Sequence, residues 1–155
     1  MKNKKIALAV IVSVLTLFIL TGCGNKKAIS TETFESVSKK HGNEITDLTE
    51  QYKDYGNFKN VMISKHGDDW KIEFYVLDSE ESASNMFSVN KESFLKEKGN
   101  TNTESSIKSG NHESYTLTSN GYYMHLYRID NTLLYVKVTK ENKVAAQKLI
   151  KDLGY

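Results

Sequence analysis

Three consecutive strands are predicted by residues 115–138, YTLTSNGYYMHLYRIDNTLLYVKV. Apolar and polar side chains alternate along much of this stretch, with the two-residue period of a strand that has one buried face. Asn120 and Gly121 give a strong hairpin signal, because a two-residue turn of this kind needs positive φ at both positions. Such a turn pairs Leu117 with Met124. The stretch therefore predicts an antiparallel sheet built from hairpins.

The second hairpin in this stretch is compatible with two registers. A three-residue turn over residues 129–131 sets Leu126 beside Leu134. A turn made of the last two of these residues sets His125 beside Val136 instead. We favour the three-residue turn, because it keeps the apolar side chains of both hairpins on one face of the sheet.

With the favoured register, the opposite face carries most of the tyrosines of the sheet. Tyrosine offers a ring for stacking and a hydroxyl for hydrogen bonding, which suits the recognition of carbohydrate, peptidoglycan or protein. Alternatively, these residues reflect strand propensity alone, and the first helix covers them through Phe34 and Val37. The candidate binding residues are Tyr75, Tyr123, His125, Tyr127 and Tyr135, which share this face with Lys71, Glu73, Thr116, Thr118 and Lys137.

The remaining patterns predict helices and one further hairpin. Helices are expected from the Ser30 cap to Gly42, from the Asp78 cap to Gly99, and from the Thr139 cap to Gly154. Residues 61–64 and 70–77 read as two strands joined by a turn. Residues 43–57 fit either a short helix or an extended segment, and residues 100–114 fit either a loop or a weak edge strand.

These elements indicate one α+β domain over residues 30–155, with a mainly antiparallel sheet and helices packed chiefly on one face. Its expected core is a single cluster of large apolar side chains. The members are Trp70, Phe74, Met86, Phe87, Phe94, Leu126, Val136 and Leu149.

The N-terminus has the features of a secretory signal. Lys2, Lys4 and Lys5 precede a mostly apolar run over residues 6–20. That run is short for a membrane span, which needs roughly 20 apolar residues. Polar residues follow it at once.

The run ends in Leu20, Thr21, Gly22 and Cys23, an arrangement that resembles the lipobox of bacterial lipoproteins. The resemblance implies that residues 1–22 are removed as a signal peptide and that Cys23 carries a diacylglycerol. It also implies a lipid-anchored protein on the extracytoplasmic face of the cell membrane, similar to the small, lysine-rich lipoproteins of Gram-positive bacteria. Residues 23–29 then form a short tether. The alternative is a signal peptide without lipidation, or a short anchor.

The composition of the processed chain excludes several classes of function. Removal of the signal leaves 133 of 155 residues and lowers the 21 basic residues to 18, against 19 acidic ones. A nearly neutral domain with mixed charges gives no electrostatic reason to expect nucleic-acid binding. Cys23 is the only cysteine, so once it is lipidated no disulfide and no thiol chemistry are expected.

No catalytic or cofactor site is expected from the remaining motifs. The loop at residues 66–69, His-Gly-Asp-Asp, contains metal-ligand residue types but reads as a solvated hairpin turn. His125 could act in a hydrolytic site only with a nucleophile, and the sequence contains no nucleophile-elbow motif. The sequence also contains no glycine-rich phosphate loop. We therefore expect no catalytic residue, metal or cofactor.

The leading functional hypothesis is a membrane-tethered binding or interaction module. Its expected partners are the membrane, through the diacylglycerol on Cys23, and a cell-envelope polymer or a membrane protein. Two alternatives remain: an accessory, assembly or stress-related envelope lipoprotein, and a small envelope enzyme that uses His125 and His66.

Overall fold

The structure is a computed structural model that describes residues 25–155. The expected signal peptide and the lipidation site at Cys23 lie outside the described residues. The helices are α1 (Thr31–Lys40), α2 (Thr49–Tyr52), α3 (Glu80–Lys96) and α4 (Lys143–Asp152). The strands are β1 (Glu44–Asp47), β2 (Phe58–His66), β3 (Trp70–Leu77), β4 (Asn102–Ser109), β5 (His112–Ser119), β6 (Tyr122–Ile129) and β7 (Thr132–Thr139). Single 3-10 turns occupy Lys53–Tyr55 and Lys140–Asn142.

All seven strands join one antiparallel sheet in the order β1-β2-β3-β7-β6-β5-β4. The predicted α+β class and the antiparallel sheet are confirmed. Strand β7 lies in the middle of the sheet, and the edges are the short β1 and the eight-residue β4. Of the alternatives left open by the sequence, residues 100–114 form an edge strand, and residues 43–57 form both an extended segment and a short helix.

The helices cover both faces of the sheet, so their expected placement chiefly on one face is wrong. Helices α1 and α4 pack on one face, which we call the two-helix face, around Phe34, Phe74 and Leu149. Helix α3 packs on the opposite, long-helix face, around Phe87 and Leu126. The expected single core is accordingly two cores separated by the sheet. The alternation of apolar residues along a strand does not show which helix covers each of its faces.

The register of the first hairpin is confirmed, and that of the second is wrong. Leu117 pairs with Met124, and both Asn120 and Gly121 have positive φ, 49° and 83°. In the β6–β7 hairpin, His125 pairs with Val136, as the two-residue turn requires. The residue with positive φ in this turn is Asp130, at 49°.

The physical reason for this error is that β7 is apolar on both sides. Leu133 and Leu134 point to opposite faces, and both are fully buried. A strand covered on both faces reads as a continuous apolar run, and its pattern therefore cannot select a register.

Two helix starts differ slightly from the expected caps. The side chain of Ser79, rather than Asp78, accepts a hydrogen bond from the Ser82 backbone amide at the start of α3. The 3-10 turn that follows Thr139 delays the start of α4 until Lys143.

Helix α1 is part of the core, which predicts a large effect of Phe34→Ala. The Phe34 ring is fully buried and stacks on Phe74 with 5.0 Å between ring centroids. We expect this substitution to lower the free energy of unfolding by about 3–5 kcal/mol in urea denaturation. The matched control is Val144→Ala on α4, where the side chain is 76% exposed. It should change the stability by less than about 0.5 kcal/mol. A similar small effect of Phe34→Ala would show that α1 is not anchored in this core.

Candidate functional site

The five residues proposed as a binding face are divided between the two sides of the sheet. Tyr75 and Tyr135 lie on the long-helix face, whereas Tyr123, His125 and Tyr127 lie on the two-helix face. The shared face expected from the sequence is therefore wrong, because the one-residue change of register turns every side chain of one strand over. Tyr75, Tyr123 and Tyr127 are each at most 8% exposed. These residues do not form an open surface.

Tyr75 and Tyr135 belong to a packed cluster beneath α3. The Tyr75 hydroxyl donates a hydrogen bond to the carboxylate of Glu73, and the Tyr135 ring packs against Phe94 at 5.2 Å. Burial, together with the charges of Glu73 and Glu97, raises the pKa of Tyr135 to about 12. Burial also raises the pKa of Tyr75, so both hydroxyls are protonated at physiological pH. The hydrogen bond of Tyr75 to Glu73 and the packing of Tyr135 on Phe94 are typical of a core.

Tyr123, His125 and Tyr127 form a row of rings along β6. The rings lie about 6 Å apart, with centroid distances of 6.1 and 5.8 Å. Nδ1 of His125 lies 2.8 Å from the Thr116 hydroxyl, while its buried Nε2 has no hydrogen-bond partner among the described residues. Burial lowers the pKa of His125 to about 4, so the ring is neutral at pH 7. The neutral His125 ring therefore packs between the rings of Tyr123 and Tyr127.

The histidine and aspartate residues of the β2–β3 turn do not gather into a metal site. Lys65 pairs with Asp68 at 2.7 Å, and His66 stacks on Trp70 and contacts the Asn43 side chain at 2.9 Å. Across residues 25–155, no three His, Cys, Asp or Glu side chains are placed to share a metal ion. The loop behaves as the hairpin turn that the sequence indicates.

The tether segment, residues 25–29, is bound to the sheet at the β4–β5 turn. The Lys26 backbone amide donates to Oδ1 of Asn111 at 2.9 Å, and Nδ2 of Asn111 donates to the Lys26 carbonyl at 2.7 Å. The same Nδ2 donates to Oδ1 of Asp130 at 2.7 Å. The Lys26 ammonium lies 5.0 Å from the centre of the Tyr127 ring. This set of contacts, which we call the Asn111 clasp, fixes the segment that follows the expected lipidation site.

One groove lies between α1 and α4 and is lined mostly by charged groups. It encloses about 550 Å³ beside Val37, Lys40, His41, Lys148 and Asp152. Nε2 of His41 lies 2.9 Å from Oδ2 of Asp152, and the pair occupies one wall of the groove. The Asp152 side chain is 48% exposed, and an ion pair with a solvated partner contributes little free energy.

The second groove has a different chemistry and is the better candidate binding site. It lies between the start of β2 and the first half of α3 and encloses about 310 Å³. Its lining combines the apolar side chains of Phe58, Met86 and Val89 with neutral polar ones, and none of these side chains carries a charge. We call it the asparagine groove, and it is lined by Asn57, Phe58, Ser82, Asn85, Met86, Val89 and Asn90.

A row of three aromatic rings, of which only Tyr55 is largely exposed, leads to the asparagine groove. Tyr55, which is 71% exposed, packs on Tyr52, and Tyr52 packs edge-on against Phe58 in the groove lining. Val89, which is 66% exposed, stands on the opposite wall. Exposed apolar side chains that adjoin a concavity are typical of binding surfaces.

The groove can bind a ligand that has apolar surface and neutral hydrogen-bonding groups. Each asparagine side chain offers two donors and one acceptor oxygen. Asn90 uses one donor on the Met86 carbonyl at 2.8 Å, which orients its amide. Ligand groups with matching hydrogen bonds include amides and hydroxyls.

The sequence analysis did not identify this groove. Asn57 lies nearly 30 residues before Asn85, and only the fold brings the two together. The one local signal is Val89, an apolar residue that lies off the buried stripe of α3 formed by Ala83, Phe87 and Phe94.

Comparisons with known protein families, with curated proteins and with solved structures find no match to this chain. Within residues 25–155, no helix has the length and apolar character needed to cross a membrane.

The half-buried, neutral ring of His125 predicts a loss of stability in acid. The unfolded chain takes up a proton near pH 6.5, whereas the folded chain does so only near pH 4. Stability is therefore fully present above pH 6.5 and is lost as the pH falls towards 4, by up to about 3 kcal/mol. In urea denaturation, His125→Gln should remove this part of the pH dependence, while the exposed-turn control His66→Gln keeps it. Equal pH profiles for wild type and His125→Gln would contradict this account.

Proposed function

We propose that this chain is a lipid-anchored protein on the extracytoplasmic face of a bacterial membrane. Its domain is a small binding module that uses the asparagine groove. The observation that carries the binding role is the chemistry of that groove, whose lining combines apolar side chains with amide side chains and has no charged residue. The lipobox resemblance at Cys23 supports the location.

Lipidation would hold the domain at the membrane without a spanning helix. A diacylglycerol carries two acyl chains, and two chains anchor a protein stably where a single chain gives only marginal binding. Lys26 and Lys27, which follow the anchor after two residues, add attraction to anionic lipids of about 1 kcal/mol each.

The groove favours a ligand with neutral amide groups. N-acetyl groups of an envelope glycan and the backbone of an uncharged peptide share this chemistry. Both present amides next to apolar surface, and both can stack on an aromatic row such as the one ending in Tyr55. The absence of charge on the lining residues disfavours strongly ionic ligands.

Replacement of Cys23 by serine tests the location. Cells fed an alkyne-tagged fatty acid should label the wild-type protein, and Cys23→Ser should abolish the label because the acceptor thiol is gone. Ser30→Ala, outside the lipobox, is the matched control and should remain labelled. Labelling of Cys23→Ser at the wild-type level would refute lipidation at this residue.

A charge placed in the groove tests the binding role. Titration calorimetry of the full lipoprotein in detergent would use two probes, an N-acetylglucosamine tetramer and an uncharged asparagine–glycine peptide. We expect at least one probe to bind, and Val89→Asp to weaken it by about tenfold, because a carboxylate loses hydration when the ligand covers it. Val144→Asp, at a valine on α4 that is also highly exposed, should bind like wild type. If neither probe binds, or if Val89→Asp binds like wild type, this groove is not the site.

A further inference from the structure

The anchor and the folded domain are separated by almost no free chain. Only Gly24 and Asn25 lie between Cys23 and Lys26. Three consecutive residues span at most about 11 Å. Lys26 is itself held by both its backbone amide and its carbonyl in the Asn111 clasp. The segment beyond Lys26 is also fixed, because Ala28 and Ile29 pack against the core of the two-helix face.

The clasp lies at a definite end of the sheet. The β4–β5 turn, which contains Asn111, and the β6–β7 turn, which contains Asp130, lie side by side and are joined by the Asn111–Asp130 hydrogen bond. We call this the near end. The β2–β3 turn at residues 67–69 and the β5–β6 turn at residues 120–121 lie at the opposite, far end. Eight-residue strands separate the two ends by about 26 Å.

From this geometry we propose that the Asn111 clasp orients the domain on the membrane, with the near end against the lipid surface and the far end directed away. The inference rests on the proposed lipidation of Cys23. A lipoprotein with a long flexible linker samples many orientations, whereas a chain fastened within three residues of its anchor keeps one end of the sheet at the surface.

The orientation also restricts what can reach the asparagine groove. Helix α3 starts at the near end, because Leu77, two residues before the Ser79 cap, exchanges hydrogen bonds with Asn131 in the β6–β7 turn. The groove residues of α3 run from Ser82 to Asn90, which places them within about 15 Å of the start of the helix. The ligand of the groove is therefore one that is present at the membrane surface itself.

Fluorescence quenching in vesicles tests the orientation. Lys108→Cys, near the β4–β5 turn, and Asp68→Cys, in the β2–β3 turn, replace exposed side chains. Each gives a unique labelling site once Cys23 is lipidated, because the chain has no other cysteine. The full lipoprotein would be reconstituted in phosphatidylglycerol–phosphatidylethanolamine vesicles that contain a headgroup spin label. We expect at least about twofold stronger quenching at position 108 than at position 68, since the two ends lie about 26 Å apart.

Asn111→Ala is the decisive variant, because it removes all three side-chain bonds of the clasp and leaves the lipid anchor in place. We expect the ratio of quenching at position 108 to quenching at position 68 to fall towards one, while the protein still floats with the vesicles. The proposal is overturned if both labels are quenched equally in the otherwise wild-type chain, or if Asn111→Ala leaves the difference intact. Mass analysis of the N-terminal peptide identifies the separate case in which Cys23 carries no lipid. In that case the protein no longer floats with the vesicles, and both the proposed lipidation and the proposed orientation fail.

Discussion

The structure depends on the burial of β7 from both sides. This strand lies between β3 and β6, and its neighbouring residues Leu133 and Leu134 are fully buried on opposite faces of the sheet. Its backbone can satisfy its polar groups only through the two adjoining strands, because neither face is open to water. The two cores therefore share one strand, and the sheet faces that a binding protein could offer are largely filled. Open, concave surface remains where the helices meet the rim of the sheet.

The sequence shows how far local rules determine such a sheet. The register at Asn120 and Gly121 follows from two residue types that accept positive φ, so it could be predicted. The register of the next hairpin could not, because Leu133 and Leu134 make both alternatives equally apolar. There the turn is supported from elsewhere, since Asn111 donates a hydrogen bond to the side chain of Asp130, the residue with positive φ. That contact joins residues 19 apart, and no local pattern contains it.

The same reasoning explains why the sequence does not reveal the candidate site or decide the role of the tyrosines. Tyrosines along a strand fit either a binding surface or a face covered by a helix, and here helices on both faces make these rings part of the core. The asparagine groove combines Asn57 with residues of α3, and neither segment alone differs from a polar helix or loop. A sequence can, however, show a residue that does not fit the pattern of its own helix. Val89 is such a residue, because an apolar side chain off the buried stripe of a helix has no core to enter.

Asn111 connects the register of the sheet with the proposed position of the domain on the membrane. Its side chain takes the role of a neighbouring strand for Lys26, accepting from the amide and donating to the carbonyl, and it also binds Asp130 in the β6–β7 turn. A tether that served only to hold the domain near a membrane would need none of these contacts. The ordering of residues 25–29 costs about 1–2 kcal/mol of backbone entropy per residue, and the clasp and the packing of Ile29 offset it. If Cys23 carries the proposed lipid, fixing the tether would give the asparagine groove a defined height above the membrane, which favours a partner that is held at the same height.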